Sequence, residues 1–302
     1  MENNGKVFQM VGLQKFLKDK RMRLRMLSFA AAVCVAVVAV AAPAHVVRDV
    51  SYGPSLGEDG LGDLYLPDDV RPETPFILVI HGGGWSSMHR PSLAGIAEFF
   101  QRDLGFAAFN IEYRLASAKN PWPACGDDCV AAAKFVLSDA FRAKYGLHHK
   151  KIWITGASAG GHLVLWTLVN LPPDAVAGAI SISAIGDPAP DFRAHRRRYM
   201  SLFGRDVTEG KLGAMNPIPL IRKGMAPLLC THADTDQVVP IASHRAFADA
   251  YRAAGNRCDF YEYRHDEEPN TGGHCIWRPR SNPHRLLACL EARMAKFVGE
   301  DR

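Results

Sequence analysis

The chain has 302 residues, of which 48% are hydrophobic and 22% are charged. This is the composition of an ordinary globular protein, and it excludes a collagen-like, coiled-coil or wholly disordered chain. The formal net charge of +5 comes from residues 1–44, because the remaining residues carry 29 basic and 29 acidic side chains. The body of the chain therefore has no bulk charge with which to bind nucleic acid or an anionic membrane.

Residues 1–44 have the pattern of a secretory signal peptide. A basic stretch, Lys15–Arg25, is followed by an apolar run that ends in the small-x-small site Ala42–Ala44. This order is typical of a signal that is cleaved, here before His45. The apolar run is also near the lower length limit of a membrane span, so an uncleaved anchor is the alternative. We expect an exported protein, periplasmic or secreted, with one domain over residues 45–302.

Export would permit disulfide bonds among the cysteines of that domain. There are six of them, and we expect one or two bridges, although the sequence does not determine the pairing. They are Cys125, Cys129, Cys230, Cys258, Cys275 and Cys289. The first two are four residues apart, but no second pair with zinc-ligand spacing accompanies them. The sequence therefore predicts no metal site.

Short apolar segments alternate with longer amphipathic ones along the domain. Antiparallel strands are predicted within Tyr52–Pro67, and further strands at Phe76–Ile80, Ala107–Tyr113, Lys151–Thr155, Ala179–Ala184, Pro227–Thr231 and Asp259–Tyr263. Helices are predicted at Leu93–Leu104, Cys125–Tyr145, Gly161–Leu171, His244–Ala254 and Pro283–Phe297. Continuous apolar strands separated by helices indicate an α/β fold, with a mostly parallel sheet covered on both faces.

Residues 187–226 interrupt this alternation. They are rich in proline and arginine and contain no clear strand pattern. An insertion after the carboxyl end of a strand lies over the ligand crevice of an α/β sheet, so we expect a short cap here. A solvated basic loop is the alternative.

A glycine-flanked serine lies between a predicted strand and a predicted helix, in Gly156-Ala-Ser-Ala-Gly-Gly161. The pattern G-x-S-x-G in a strand–turn–helix context is typical of a nucleophile elbow, which makes Ser158 the candidate nucleophile. The amino terminus of the helix would add a positive dipole beneath developing negative charge. The alternative is a glycine-rich turn with an incidental serine.

A second glycine motif, His81-Gly-Gly-Gly-Trp85, ends the first predicted parallel strand. Acyl transfer needs N–H donors aimed at an oxygen that becomes negative, and consecutive glycines let the backbone supply them. The candidate donors are the amides of Gly83 and Gly84, joined by that of Ala159. Trp85 is predicted to line the acyl pocket. A phosphate loop is excluded, because no Gly-Lys-Ser/Thr follows.

A serine nucleophile needs a base to take its proton and a carboxylate to orient that base. With a nucleophile elbow, the chain order is serine, acid, histidine. The loop after the next-to-last predicted strand offers Asp234 and Asp236, of which Asp236 is the predicted acid. The predicted base is His274, in a glycine-containing loop, and His265 and His284 are the competing candidates.

Together with Tyr113-Arg-Leu115 and Asp236-Gln-Val-Val-Pro240, these motifs resemble the α/β-hydrolase superfamily over nearly all of residues 50–300. The resemblance is strongest to the acetyl-esterase and feruloyl-esterase-like branch related to hormone-sensitive-lipase-type carboxylesterases. It implies an α/β-hydrolase fold with a triad of Ser158, His274 and Asp236. The sequence departs from the usual pattern where His232 is followed by alanine, because glycine is common at that position.

The resemblance implies less about the substrate, because this fold hosts esterases, lipases, amidases and peptidases. The leading hypothesis is an exported serine carboxylesterase that acts on short acyl or aromatic esters, by a mechanism that implies no metal or organic cofactor. Acetyl or feruloyl esters of plant polysaccharide are candidate substrates, and the arginines at 196–198 suggest a preference for acidic, uronate-bearing ones. An amidase-, formamidase- or peptidase-like hydrolase with the same triad is the alternative. A third possibility is a binding protein that has lost activity. From the balanced charge of residues 45–302 we expect no nucleic-acid partner, and no membrane contact beyond an N-terminal anchor.

Overall fold

One eight-stranded sheet organises the part of the chain that the computed structural model describes, residues 45–264, 273–278 and 285–300. Its strands are β1 His45–Ser51, β2 Leu61–Leu66, β3 Phe76–Ile80, β4 Ala107–Ile111, β5 Ile152–Ala157, β6 Val176–Ile182, β7 Leu228–Ala233 and β8 Cys258–Tyr263. The order across the sheet is β1-β2-β4-β3-β5-β6-β7-β8. β2 pairs antiparallel with both β1 and β4, and all other pairs are parallel. The predicted mostly parallel sheet is confirmed, although β1 begins earlier than Tyr52.

Helices connect the parallel strands. The α-helices are α1 Ala94–Arg102, α2 Ala124–Val136, α3 Asp139–Tyr145, α4 Ala159–Asn170, α5 Pro188–His195, α6 Met200–Phe203, α7 Ile241–Ala253 and α8 Arg285–Glu300. The single helix predicted from Cys125 to Tyr145 is two helices, because Ser138 begins a new one. Its hydroxyl accepts a hydrogen bond from the Phe141 amide at 3.3 Å, which is an N-cap contact.

The core lies on both faces of the sheet, as the alternation along β3 shows. Leu78 and Ile80 pack into the cluster that contains α2 and α4, whereas Ile77 and Val79 pack into the one that contains α1 and α8. All five side chains of β3 are 1% exposed or less. A strand buried on both faces has no polar side, which explains its continuous apolar sequence. The predicted two-sided covering by helices is confirmed.

The carboxyl ends of the parallel strands lie along one edge of the sheet, and each sequence motif follows one of them. The glycine turn follows β3, the serine elbow follows β5, and the loop of Asp236 follows β7. His274 lies beyond the end of β8. Because parallel strands place their carboxyl ends side by side, residues far apart in sequence come together here.

The insertion at 187–226 folds against the domain. It consists of α5, α6 and short 3-10 segments, and its apolar side chains join the main core. Tyr199, Leu202 and Met215 are each at most 1% exposed. The alternative of a solvated loop is therefore wrong for the greater part of this segment.

Two absences hold within the described residues. None of their helices combines the length and the apolarity that crossing a bilayer requires. No group of histidine, cysteine and acidic side chains among them is arranged to hold a metal ion. The predicted signal peptide and the competing histidines at 265 and 284 lie outside these residues.

The buried thiols of Cys125, Cys129, Cys230 and Cys258 do not take part in disulfide bonds. The Sγ atoms of Cys230 and Cys258, on the neighbouring strands β7 and β8, are 4.0 Å apart. That separation is about twice the length of a disulfide bond. Disulfide bonds among these four residues, expected from the sequence, are therefore not formed in this structure.

Candidate active site

Ser158 lies at the junction of β5 and α4 in a conformation that L-residues rarely adopt. Its φ is 59° and its ψ is −124°. Its amide donates to the Ile182 carbonyl on β6 at 2.8 Å, and its carbonyl accepts from the His162 amide at 3.1 Å. The residue is 8% exposed. These contacts hold the hydroxyl at the carboxyl edge of the sheet, as a nucleophile elbow requires.

The glycines around the serine allow the elbow to pack directly against β3. A Cβ atom on Gly160 would lie 2.2 Å from the Ile80 carbonyl oxygen and 2.4 Å from that of His81. A Cβ on Gly156 would lie 2.6 Å from the same Ile80 oxygen. Real Cβ atoms do not approach that closely, so the motif needs glycine at both positions.

The glycine turn after β3 lies against the serine and presents free amides. A Cβ on Gly82 would be 3.2 Å from the Cβ of Ser158, which shows how close the two motifs are. The Gly83 carbonyl accepts from the amide and the hydroxyl of Ser87, at 3.1 and 2.7 Å. Because N–H and C=O point opposite ways in a trans peptide, these bonds turn the Gly84 amide away from Ser87.

Within the described residues, no protein acceptor takes a hydrogen bond from the amides of Gly83, Gly84 or Ala159. Ala159 is the first residue of α4, where the amides have no partner inside the helix. Unpaired amides next to a nucleophile are the donors that a developing oxyanion needs. The structure thus keeps all three predicted amides available.

Trp85 is not on the surface of the site. It is 0% exposed, and its indole Nε1–H donates to Nδ1 of His162 at 3.2 Å. Tyr199 of the insertion packs against the same ring, with 5.5 Å between ring centroids. The prediction that Trp85 lines an acyl pocket is therefore corrected: in this structure the indole is a buried support behind the glycine turn.

The three predicted triad side chains are in contact. Nε2 of His274 lies 2.8 Å from Oγ of Ser158, and Nδ1 lies 2.8 Å from Oδ2 of Asp236. An ionised carboxylate only accepts hydrogen bonds, so Nδ1 carries the imidazole proton and Nε2 accepts from the serine hydroxyl. The His274 side chain is 10% exposed and meets the edge of the Trp277 ring. Asp236 is thus the acid that contacts this histidine.

Four donors surround the Asp236 carboxylate. Oδ1 accepts from the amides of Val238 and Val239, at 2.8 and 2.9 Å. Oδ2 accepts from His274 and lies 3.0 Å from Nε2 of a second histidine, His232. Burial alone would raise the pKa of Asp236, but the hydrogen bonds from His232 and His274 outweigh it and hold the pKa well below its usual value. Asp236 is therefore ionised at neutral pH.

Known proteins resemble the chain in sequence and in fold. The family model BD-FAE matches residues 62–171, which include the glycine turn and the serine elbow. A solved structure described as a truncated form of carbohydrate esterase from gut microbiota matches with a TM-score of 0.68 at 23% identity, covering 85% of this chain and 96% of that one. The chain therefore has an α/β-hydrolase fold.

Two curated relatives of this chain are named as esterases. Esterase LipQ of Mycobacterium tuberculosis is 26% identical over 232 residues, which is 68% of this chain and 53% of LipQ. The acetylxylan esterase of Xylanibacter ruminicola is 26% identical over 216 residues, which is 69% of this chain and 44% of that enzyme. The chain thus spans about half the length of these relatives.

The insertion is hydrogen-bonded to the loop of the triad acid. Arg198 donates from Nη1 to Oδ1 of Asp191 at 3.0 Å and from Nη2 to the Val238 carbonyl at 2.9 Å. Asp191 is 0% exposed, and its second oxygen accepts from the Tyr199 hydroxyl at 2.8 Å. The Asp236 loop is therefore fixed from outside by an arginine whose other contact is a buried carboxylate.

Most of the insertion's arginines already have partners inside the protein. Arg193 is paired with Glu209, and Arg196 donates to two backbone carbonyls of the insertion at 3.0 Å. Arg198 is bonded as described above. The preference for acidic substrates was inferred from residues 196–198, and two of those three guanidinium groups are committed to internal contacts. That hypothesis loses most of its support.

Sequence reasoning missed three residues that contact the site: His232, Arg198 and Trp277. His232 stands in the motif that precedes the acid, so its position was a signal. Arg198 lay within the arginine-rich segment, but nothing in the sequence singled out its carbonyl partner. Trp277 is three residues beyond His274, and its edge-on contact with the imidazole depends on the conformation of that loop.

Proposed function

We propose that this protein is a serine carboxylesterase that works through Ser158, His274 and Asp236. One observation carries the proposal: the hydrogen-bonded line Ser158 Oγ, His274 Nε2 and Nδ1, Asp236 Oδ2, with 2.8 Å at each junction. The unpaired amides of the glycine turn next to the serine support it, because ester hydrolysis by this route needs an oxyanion site. The esterase names of the curated relatives support it as well.

The first half of the proposed reaction forms an acyl-enzyme. Oγ of Ser158 attacks the ester carbonyl carbon while its proton passes to Nε2 of His274, and the carbonyl oxygen becomes negative. The amides of Gly83, Gly84 and Ala159 stabilise that oxygen. When the tetrahedral intermediate collapses, the bond to the alcohol oxygen breaks and His274 returns the proton to the leaving alcohol.

The second half releases the acid. Water attacks the acyl carbon and gives a proton to His274, the same amides hold the oxyanion, and the bond to Oγ of Ser158 breaks as His274 reprotonates it. Asp236 stays ionised throughout and stabilises the imidazolium that forms twice in each cycle. No other group is required, because every proton lost by a nucleophile is returned to a leaving group.

As substrates we propose short acyl or aromatic esters, with acetyl or feruloyl groups of plant polysaccharide as the specific candidates. The name of the acetylxylan esterase relative supports the acetyl candidate. Acetylated xylan, methyl ferulate and p-nitrophenyl acetate should be hydrolysed faster than the matching arylamides. Faster hydrolysis of arylamides would favour the amidase alternative and contradict this proposal.

Replacement of the nucleophile tests the reaction itself. We expect Ser158→Ala to lower kcat by roughly 10³-fold or more with an unchanged fold, because the attacking oxygen is lost. A serine-directed fluorophosphonate should label the native protein and not this variant, with Ser138→Ala, between α2 and α3, as the control serine. Native protein that neither hydrolyses esters nor reacts with the probe would contradict the proposal and favour a binding protein.

We also propose that the protein is exported and that its signal is cleaved before His45. The proposal is supported by the order of basic, apolar and small-x-small segments in residues 1–44. Amino-terminal sequencing of protein recovered from a periplasmic or culture fraction should begin at His45. A mature chain that keeps its first residues in the membrane fraction would indicate the anchor instead.

A further inference from the structure

Two buried histidines lie behind the triad acid, on the side away from Ser158. His232, on β7, is 0% exposed, and its Nε2 is 3.0 Å from Oδ2 of Asp236 and 3.1 Å from the Val239 carbonyl oxygen. Its Nδ1 is 3.1 Å from Nδ1 of His244, on α7, which is also 0% exposed. The proposed mechanism uses neither ring.

The contacts determine where the protons lie. Both partners of His232 Nε2 are acceptors, so Nε2 must carry a proton. Burial holds the pKa of His244 well below its ordinary value, so His244 is neutral and has one ring proton. That proton lies on Nδ1 of His244 when His232 Nδ1 is the acceptor between the two rings, and in either arrangement Nε2 of His232 donates to Asp236. The chain of contacts therefore runs His244, His232, Asp236, His274, Ser158.

Two ring N–H groups thus converge on a single carboxylate oxygen. Oδ2 of Asp236 accepts from His274 at 2.8 Å and from His232 at 3.0 Å, while Oδ1 is occupied by the amides of Val238 and Val239. A donor on the same oxygen shares its negative charge and fixes its direction. We propose that His232 is a positioning residue that aims Oδ2 of Asp236 at His274 and moderates the negative charge that His274 meets, an inference that rests on the proposed function.

Other charged and titratable groups face Asp236 and His274. Within the described residues, Asp191 from α5 attracts protonated His274, and Arg198 is bonded both to Asp191 and to the Asp236 loop. Cys275 and Arg278 lie on the His274 loop itself. Loss of the Asp191 charge should make the imidazolium of His274 less stable, whereas loss of the His232 donor should make it more stable. The two changes therefore shift the protonation of His274 in opposite directions.

The pH dependence of ester hydrolysis tests the inference. In His232→Leu, the acid limb of kcat/KM should move to higher pH by at least about 0.5 unit, because Asp236 then holds the His274 proton more tightly. The kcat should fall roughly tenfold through loss of alignment. His232→Gln, which can still donate to Oδ2, should move the limb by less than half as much. Asp191→Asn should move it to lower pH.

His149→Gln is the matched control, because His149 is another buried histidine whose Nε2 contacts a carbonyl, that of Val136 at 3.0 Å. His149 precedes β5 and so lies at the other end of that strand from Ser158. The acid limb of the His149→Gln variant should therefore match that of the native protein. A folded His232→Leu variant with the native limb and the native kcat would overturn the inference. Absence of Ser158-dependent hydrolysis in the native protein would instead overturn the proposed function.

A measurement on the native protein avoids dependence on the folding of a variant. With ¹⁵N-labelled histidine, Nε2 of His232 should report a bonded proton at neutral pH. A ring protonated only at Nδ1 would have no N–H for Asp236 and would overturn the inference without any assay of activity.

Discussion

The two halves of the site are held in different ways. The serine elbow and the glycine turn are fixed by backbone packing, with Gly160 so close to β3 that no Cβ fits. The acid and the base are held on loops by side-chain hydrogen bonds, four of them on Asp236 alone. The first half is therefore specified by short local motifs, and the second by partners far apart in the chain.

This difference predicts two kinds of effect for substitutions in the site. Changes at the glycines of the elbow half should act on folding, because an added side chain would force the backbone of neighbouring strands apart. Changes in the acid–base half should act on turnover or on pH dependence, because the loops can keep their shape while one donor or acceptor is lost. Substitutions in each half test whether the two halves respond in these different ways.

The largest effect is expected for Asp236→Asn. The amide keeps the size of the carboxylate but cannot stabilise an imidazolium, and it favours the wrong His274 tautomer, so kcat should fall by roughly 10⁴-fold. Steady-state kinetics measure the loss of turnover, and a melting curve measures stability separately. A variant that retains more than about a tenth of the native kcat would show that Asp236 is not the orienting acid.

Gly160→Ala should destabilise the fold, with loss of activity only as a consequence. The new methyl group would meet two carbonyl oxygens of β3 and its following turn, and we expect a loss of about 3 kcal/mol in the free energy of unfolding. Gly95→Ala is the matched control, since Gly95 is also the second residue of a helix and has open space around it. It should be neutral or stabilising by about 0.5 kcal/mol. Equal denaturation midpoints for the two variants would contradict the packing argument.

The Arg198→Met variant should lose a modest amount of both stability and kcat. It leaves the buried Asp191 carboxylate without its cation and releases the Val238 carbonyl, so we expect a loss of about 2 kcal/mol in stability and a several-fold lower kcat. Asp191→Asn in the same chain should recover much of the stability, since no unpaired charge then remains. Arg193→Met removes an exposed pair with Glu209 and should cost less than about 1 kcal/mol. Equal losses for the two arginines would contradict the special role of Arg198.

The last effect concerns stability; it is small at neutral pH and grows as the pH falls. Burial lowers the pKa of His162 to about 4, from an ordinary value near 6.5, so the unfolded chain binds a proton there at a pH where the folded one does not. Stability should therefore fall as the pH drops from about 6.5 to about 4, and His162→Gln should reduce this slope by up to about 1.4 kcal/mol per pH unit. Denaturant titrations at several pH values measure it. An unchanged slope would show that His162 takes up its proton in the folded state.

Asp236 should contribute in a different range. Its folded pKa lies below the unfolded value of about 4, so its contribution to stability is complete above pH 4 and is lost as the pH falls further. The elbow half and the acid–base half are thus distinguishable by the pH at which each weakens.

Much of the fold was predictable, because buried parallel strands are uninterrupted apolar runs. The bounds of β3 were predicted to the residue, whereas the break between α2 and α3 was not, since the cap at Ser138 is a single hydroxyl contact. The burial of Trp85 could not be read from sequence either. It depends on Tyr199, from an insertion whose proline- and arginine-rich pattern gave no helix period.

In the site, the residues that carry out the reaction were easier to predict than the residues that hold them in place. The residue types of Ser158, Asp236 and His274 follow from the order that this fold imposes, and the structure places them in contact. The valine amides that donate to the acid follow from loop geometry, which a single sequence does not encode in a recognisable motif. The position of His232 before the acid was a signal, but its contact with Asp236 depends on that same geometry.

The left-handed backbone of Ser158 has a consequence for engineering. Glycine at position 158 would relieve the strained backbone conformation but would also remove the hydroxyl. The change that raises thermal stability at this position therefore abolishes turnover. A library ranked only by survival after heating would enrich inert molecules at position 158. Selection for durable variants must therefore score product released as well as protein recovered.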